Sequence, residues 1–297
     1  MDMNNYHTSV LLQEVIDFLD VVSGENYIDA TLGGGGHAMA IVERGGNLLG
    51  IDADTDALEE ARRKYSEVSA IKNNGTFISV QGNFENIVSL STANHFQNVS
   101  GILFDLGVSS HQLDVATRGF SFKEGPLDMR MDSSLSVKAA DLVNGLTRGE
   151  LAELFERYGE EKFAKRIANA IAAKRVAEPF TTTTQLVHLI SASVPFIEGQ
   201  IHPATRVFQA LRIAVNDEMN VLRRALPDAF SLIQSGGRLV VISFHSLEDR
   251  IVKHTFEKLA LEGKGEVLTK KPITPSEQEI LLNKRSRSSK LRVIQKI

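Results

Sequence analysis

Three features of the sequence predict a doubly wound, Rossmann-like α/β sheet interrupted by a helical insert. From Tyr27 to Asp54 (YIDATLGGGGHAMAIVERGGNLLGIDAD) a strand, a glycine loop, a helix and an acid-tipped strand follow one another. Further short apolar runs at Phe77–Val80 and Gly101–Asp105 continue the strand–helix rhythm. From about residue 112 that rhythm stops, and amphipathic helical patterns take over until the apolar run Gly236–Ser243. Strands that alternate with helices make a largely parallel sheet, and the interruption marks the insert.

Within the first motif each residue type has a physical role. Tyr27 to Leu32 reads as a short buried strand. Gly33, Gly34, Gly35 and Gly36 follow at once. Glycine lets the backbone turn tightly and come close to a ligand. His37 to Glu43 carries Ala38, Ile41 and Val42 at helical spacing, so the N–H groups of a helix start point at that ligand. Asn47 to Ile51 is a second apolar run and ends on Asp52. A carboxylate about twenty residues past the glycines accepts hydrogen bonds from ribose hydroxyls in such folds. Asp29 narrows the ligand class. It precedes the glycines inside the first strand, where it would repel a pyrophosphate and welcome a cationic end. S-adenosylmethionine carries an ammonium and a sulfonium and no phosphate, which favours a methyl donor over NAD. The plainer reading, that Asp29 caps local backbone amides, stays open.

The 297 residues, 42% hydrophobic and 24% charged, suit a soluble globular enzyme of one large domain or two unequal ones. The chain has no cysteine, which excludes disulfides, thiolate metal ligands and a cysteine nucleophile. The start, MDMNNYHTSVLL, lacks the basic region and apolar core of a secretory signal. No apolar run of about 18 residues is present, so no membrane partner is expected and the cytoplasm is the expected compartment. Net charge is −4, but from Lys270 onward eight basic residues stand against two acids, so that tail is +6 and the rest −10. Such a tail suits phosphate contact, or is an ordinary solvated tail.

Taken in order, HTSVLL from His7 leads into a helix with Leu12, Val15, Ile16 and Leu19 at helical spacing. Asp56–Tyr65 is a further helix. Phe84, after the third strand, either stacks on an adenine edge or serves the core. Asp105 ends the fourth strand. Asp29, Asp52 and Asp105 thus come near carboxyl ends of strands, where open α/β sheets bind ligands, although any one of them alone is explicable as a helix cap. Residues 111 to about 135 hold Arg118, Gly119, Phe120, Phe122, Lys123, Gly125, Pro126 and Arg130. A connection that long is usually functional or disordered, and its aromatic and basic content suits a lid over a flat anionic substrate. Thr147-x-x-Glu150 is a capping box that opens a helix. Glu161–Val176 places Phe163, Ile167 and Ile171 on one face and Lys162, Lys165, Arg166, Lys174 and Arg175 on the other. Thr184–Ser193 is another helix, and one long helix is expected from Pro203 to Pro227. Phe244–Arg250 turns into a helix with Ser246 as cap, and Leu291–Ile294 pairs as the last strand. The expected division is residues 1–111 as the first part of the sheet domain, 112–205 as a mostly helical insert for substrate recognition, and 206–297 as its second part.

The strings HTSVLL, YIDATLGGGGH, FDLGVSS, RGFSF, GPLDMRMD, YGEEKFAKRIANAI, HPATRVFQALRIAVNDE, GGRLVVISFHSLEDRIVK and RSRSSKLRV, in this order from His7 to Arg292, resemble the RsmH (formerly MraW) family. These bacterial methyltransferases act on the exocyclic N4 of a cytidine in the decoding region of 16S (small-subunit) ribosomal RNA. The resemblance implies a class I S-adenosylmethionine-dependent methyltransferase sheet, S-adenosylmethionine as co-substrate without a metal, and the small ribosomal subunit as partner. It implies donor contacts at Gly35, Gly36, His37, Asp52, Phe84, Asp105 and Gln112, to which the residue pattern adds Asp29 and Gly33. Two positions depart from the family: Gly34, where many members carry a larger residue, and His111, where proline is common. Residues 262–284 are short and divergent.

Methyl transfer from a sulfonium is a direct in-line displacement, so placing the amine nitrogen behind the methyl carbon is the main enzymic contribution. Asp105, or backbone carbonyls of its loop, is the expected acceptor for the N4 proton. Ser243 and His245 are candidates for positioning the cytosine or taking its proton, and His245 reads equally as a cap or core histidine. The base must be unstacked. Phe120 and Phe122 are candidate stacking partners or lid core, and Arg118 and Arg130 candidate substrate-binding cations. The insert's exposed helices offer a face for pairing two copies. The competing readings are an S-adenosylmethionine-binding ribosome-assembly factor without turnover and an NAD-dependent dehydrogenase.

Overall fold

The computed structural model describes residues 9–68, 75–195 and 201–297, so His7 and Thr8 of the first matched string lie outside the described residues. The chain forms two compact units: Met1–Ser109 with Met219–Ile297, and Ser110–Glu218. The first unit begins with α1 (Leu12–Leu19), β1 (Asn26–Asp29), α2 (Gly36–Glu43), β2 (Asn47–Asp52), α3 (Thr55–Val68), β3 (Phe77–Gln81), α4 (Ile87–Ala93) and β4 (Val99–Asp105). The second holds α5 (Ser110–Asp114), α6 (Ala139–Gly145), α7 (Arg148–Gly159), α8 (Ala164–Lys174), α9 (Thr183–Ser193) and α10 (Ala204–Val215). The chain then runs through α11 (Glu218–Leu232), β5 (Ile233–Ser243), α12 (Ser246–Leu261), β6 (Gly265–Val267), α13 (Glu277–Leu282) and β7 (Lys290–Lys296).

The sheet has seven strands in the order β3-β2-β1-β4-β5-β7-β6. The pairs from β3 to β5 are parallel, and β7 runs antiparallel to both neighbours. This is the expected Rossmann-like class with one antiparallel strand added. β4 is buried along nearly its whole length, with Ile102, Leu103 and Phe104 at 0% exposure. A strand covered on both faces reads as a continuous apolar run rather than an alternation. Each such side chain contributes roughly 1.5–3 kcal/mol by leaving water. α1 is fixed at its start by Glu279, whose Oε1 accepts the N–H of Leu11 at 2.8 Å while Leu11 takes a left-handed φ of 53°. β6 was not expected; it lies in the divergent stretch and is only three residues long.

The helical unit differs from the sequence reading in three places. The long helix after Pro203 is two helices. Asn216 leaves the helical path because its Nδ2 donates to Met129 O at 2.8 Å and its Oδ1 accepts from Met131 N at 2.8 Å. Asp217 then turns at φ 49° and α11 starts afresh, carrying Pro227 inside it. The unit accordingly runs to Glu218 rather than 205, since α10 packs on α7 and α6. Phe163 precedes α8 and is 41% exposed, so it does not share the buried face of Ile167 and Ile171. Residues 111–135 are built into the unit. Leu127 N–H donates to Thr181 O, Met129 N–H to Arg118 O and Ala139 N–H to Asp128 O. Gly119 is a tight point of this segment in the left-handed region. Its φ is 76°, and an added Cβ would lie 2.3 Å from Pro126 O and 2.7 Å from Asp128 N.

Replacing Gly119 with alanine is therefore expected to destabilise the protein by about 1–3 kcal/mol from backbone strain alone, with more from the clash. Urea unfolding monitored by helical circular dichroism measures it. An unchanged midpoint would mean that the 111–135 segment does not couple to the stability of its unit.

Candidate active site

The strands β2, β1 and β4 are neighbours in the sheet, and each ends in an acid. Asp29 is 1% exposed. Its Oδ1 accepts the N–H of Thr31 at 3.1 Å, and Thr31 Oγ1 accepts the N–H of Asp105 at 2.6 Å. One threonine thus ties the ends of β1 and β4 together. Asp52 accepts the N–H of Gly33 at 2.8 Å and of Asp54 at 2.9 Å, so it is the post on which the glycine turn hangs. Gly35 caps α2 in the left-handed region at φ 74°. At Gly36 an added Cβ would lie 1.9 Å from Ser9 Oγ, so a side chain there would make the Ser9 hydroxyl turn away. Lys64 on α3 reaches back to donate to Gly34 O at 2.6 Å.

Burial and mutual repulsion dominate the electrostatics. Burial, with a smaller push from the charge of Asp52, raises Asp29 to about 7 against the Thr31 N–H. Burial pushes Asp52 up to about 6, against the N–H groups of Asp54 and Gly33. Asp105 is raised well above the usual carboxylate range by burial, then by Asp29 and Glu248. Asp105 Oδ1 is buried without a hydrogen-bond partner among the described residues. Its Oδ2 lies 3.6 Å from Nδ1 of His37, which is itself 4% exposed. The other ring nitrogen of His37 is 2.9 Å from Val10 O. A carbonyl only accepts, so Nε2 carries the hydrogen and Nδ1 faces the acid. Such a cluster of desolvated carboxylates suits a ligand that brings positive charge.

The remaining candidates of the sheet unit fall around this cluster or beside it. Phe84 is half-buried and meets Phe104 edge-on at 5.4 Å. Ser243 is 2% exposed, and its hydroxyl turns to Lys290 O on β7 at 3.4 Å. His245, not Ser246, caps α12: its Nδ1 accepts the Glu248 N–H at 3.3 Å. Its Nε2 stands 3.2 Å from Glu248 Oε1, out of line for a hydrogen bond. Glu248 is the residue that sequence reasoning missed. It is 2% exposed, accepts the N–H groups of Phe244 at 2.7 Å and His245 at 3.2 Å, and raises Asp105. Its signal was the His245-x-x-Glu248 spacing of a capping box, with an unusual cap residue.

Of the candidates in the helical unit, Phe122, Arg118 and Arg130 have partners inside that unit. Gln112 is 6% exposed on α5. Phe120 is 6% exposed, and Phe122 packs on Phe208 at 4.9 Å and on His202 at 4.8 Å. Arg118 donates to the carbonyls of Arg130 and Met131. Arg130 forks onto Asp128 at 2.7 and 2.9 Å and also donates to Ser133 O and Leu135 O. Both guanidinium groups thus brace their own loop. Exposed cations on this unit include Lys162, Lys165, Arg166 and Lys174, together with Lys123, Lys138, Arg148 and Arg157.

The sequence pattern of the MraW methylase family matches residues 4–297. A protein of Dehalococcoides mccartyi called ribosomal RNA small subunit methyltransferase H is 46% identical over 98% of this chain and 86% of its own. A protein of the same name from Pelobacter propionicus is 45% identical, covering 98% of each chain. The solved rRNA methylase of Streptococcus thermophilus aligns over 98% of this chain and 99% of its own at 11% identity and a TM-score of 0.46.

The raised acids set a pH dependence. Asp29 and Asp52 bind protons more tightly folded than at the ordinary value of 3.8, so their contribution to stability is complete below about pH 4 and is lost as pH rises through 6 and 7. Between about pH 5 and pH 8 the ligand-free protein should lose stability to urea, and Asp29→Asn should lose less. Equal slopes for the two proteins would remove Asp29 as the cause.

Proposed function

The chain belongs to the MraW methylase family, and from that membership we propose that it methylates small-subunit ribosomal RNA with S-adenosylmethionine as donor, at the exocyclic N4 of a cytidine in the decoding region. The observation that carries the donor is the row of acids Asp52, Asp29 and Asp105 beside the glycine turn, the first and last half-buried and Asp29 buried, all with raised proton affinity. A zwitterionic sulfonium relieves their repulsion, whereas a pyrophosphate would add to it. The names of the relatives support the RNA target, and the family resemblance supports the N4 atom. No described helix is long and apolar enough to cross a membrane.

In this reading Gly33, Gly35, Gly36 and His37 shape the turn that receives the donor, Asp52 takes its ribose hydroxyls and Phe84 its adenine edge. The donor, when bound, supplies a methyl group on sulfonium for a single in-line displacement. Cytosine N4 is a weak nucleophile because its lone pair is delocalised into the ring. Asp105 Oδ1, buried and without a partner among the described residues, accepts an N4 hydrogen and lets the nitrogen pyramidalise. Ser243 and His245 hold β7 and the start of α12 around it. The exposed cations of α8, with Lys284, Arg285 and Arg287 of the tail, take flanking phosphates.

The test is transfer of labelled methyl to small subunits that lack the modification, followed by digestion of the RNA to nucleosides. Label is expected in N4-methylcytidine. Asp105→Asn is expected to lower the rate at saturating donor by about a hundredfold or more while the donor still binds. A rate that recovers at saturation would assign Asp105 to donor binding instead. Tight donor binding with no labelled nucleoside would point to an assembly factor without turnover.

A further inference from the structure

Asp105 poses a chemical difficulty for the reaction proposed above. Burial beside Asp29 and Glu248 favours the protonated form of Asp105, and a protonated carboxyl has no vacancy for a second proton on its own. The geometry around it offers a way out. Asp105 turns Oδ1 inward with no partner among the described residues, and turns Oδ2 to His37 Nδ1 at 3.6 Å. His37 cannot swing away, because its Nε2–H is anchored on Val10 O at 2.9 Å. Val10 is in turn held by the left-handed bend at Leu11, whose N–H is bound by Glu279. In its neutral form the imidazole, with its hydrogen on Nε2, faces the far oxygen of the acid with Nδ1. Ligand-free catalytic contacts of this kind are often long and tighten in the complex.

Resting on that reading, we propose that His37 is the positioning residue that makes Asp105 a base, by taking the Oδ2 proton on Nδ1 as Oδ1 receives the proton of the attacking amine. The balance is complete. The N4 lone pair forms the bond to the methyl carbon, and the carbon–sulfur pair stays on sulfur, which becomes a neutral thioether. The amine gives up one proton to Oδ1, and the proton on Oδ2 moves to Nδ1. The pair that began neutral ends as carboxylic acid and imidazolium, and the imidazolium later returns its proton to solvent. Among the described residues, Asp29 on β1 and Glu248 on α12 act on Asp105, Asp52 on β2 acts on Asp29, and His245 stands beside Glu248. Negative charge on these acids favours the imidazolium product.

The test is the pH dependence of single-turnover transfer to small subunits at saturating donor, for the wild type and His37→Gln. Glutamine keeps an N–H donor for Val10 O but accepts no proton. The wild-type rate should rise with pH as the pair loses its second proton. In His37→Gln the rate near neutrality, measured with donor at saturation as set by calorimetry on the variant itself, should fall at least about tenfold. The half-maximal pH should move upward, because Asp105 must then ionise unaided. A rate restored by saturation, or a fall with the midpoint unmoved, overturns the proposal. Nitrogen-15 NMR of His37 in the wild type bound to S-adenosylhomocysteine gives a second reading should the variant not fold. A His37 ring that keeps one protonation state across the range where the rate changes also overturns it. Failure of the wild type to methylate the subunits would sink the reading of function instead, so the two failures are separable.

Discussion

Three carboxylates at the ends of adjacent strands are the constraint to which the sheet unit answers. Like charges in a desolvated setting repel strongly, and the sheet order leaves Asp52, Asp29 and Asp105 no room to part. Several close neighbours work against that repulsion, while the charges of Glu248 and Asp54 add to it. Thr31 gives Asp29 an N–H and takes one from Asp105, Gly33 and Asp54 give theirs to Asp52, and His37 faces Asp105. What these bonds leave uncompensated shows as raised proton affinity. The glycine turn follows from the same need, since Gly33 must bring its N–H to Asp52, and a side chain at Gly36 would make the Ser9 hydroxyl turn away.

Much of this was legible in the sequence, because the features concerned are ones that only a few residue types supply. Four consecutive glycines, an acid inside the first strand and an acid ending the second each point to one backbone arrangement. The fully buried β4 was legible as an unbroken apolar run. What escaped notice depends on residues far apart in the chain. Asn216 breaks a helical pattern because its amide is claimed by Met129 and Met131, and no local propensity encodes that claim. β6 has three residues and exists only because β7 offers it an edge. His245 displaces Ser246 as the cap because Glu248 sits three residues beyond it, and histidine is not among the residues favoured there.

Charge type was legible where charge partners were not. Arg118 and Arg130 stand out in a glycine-rich segment as free cations would, yet their guanidinium groups supply the carbonyl caps and the carboxylate fork that shape the segment. Phe122 likewise fills an aromatic contact with Phe208. A long connection without regular structure must satisfy its backbone polar groups somehow, and here long basic side chains do so. The same composition would describe a loop that grips RNA, and only the bond pattern separates the two.

The helical unit is spliced between β4 and β5, whose Asp105 and Ile242 are paired across the whole excursion. In polymer terms this is one very long loop, and the entropy of closing a loop grows only as the logarithm of its length, roughly 0.6 kcal/mol per doubling. The sheet thus barely registers how much chain is added there. Helices made of local contacts form faster than strands that must find each other at long range, so the excursion is expected to condense before β4 meets β5. Evolutionary tinkering with everything between Ser110 and Glu218 is then nearly free for the sheet, while Asp105, at the splice point, keeps its place.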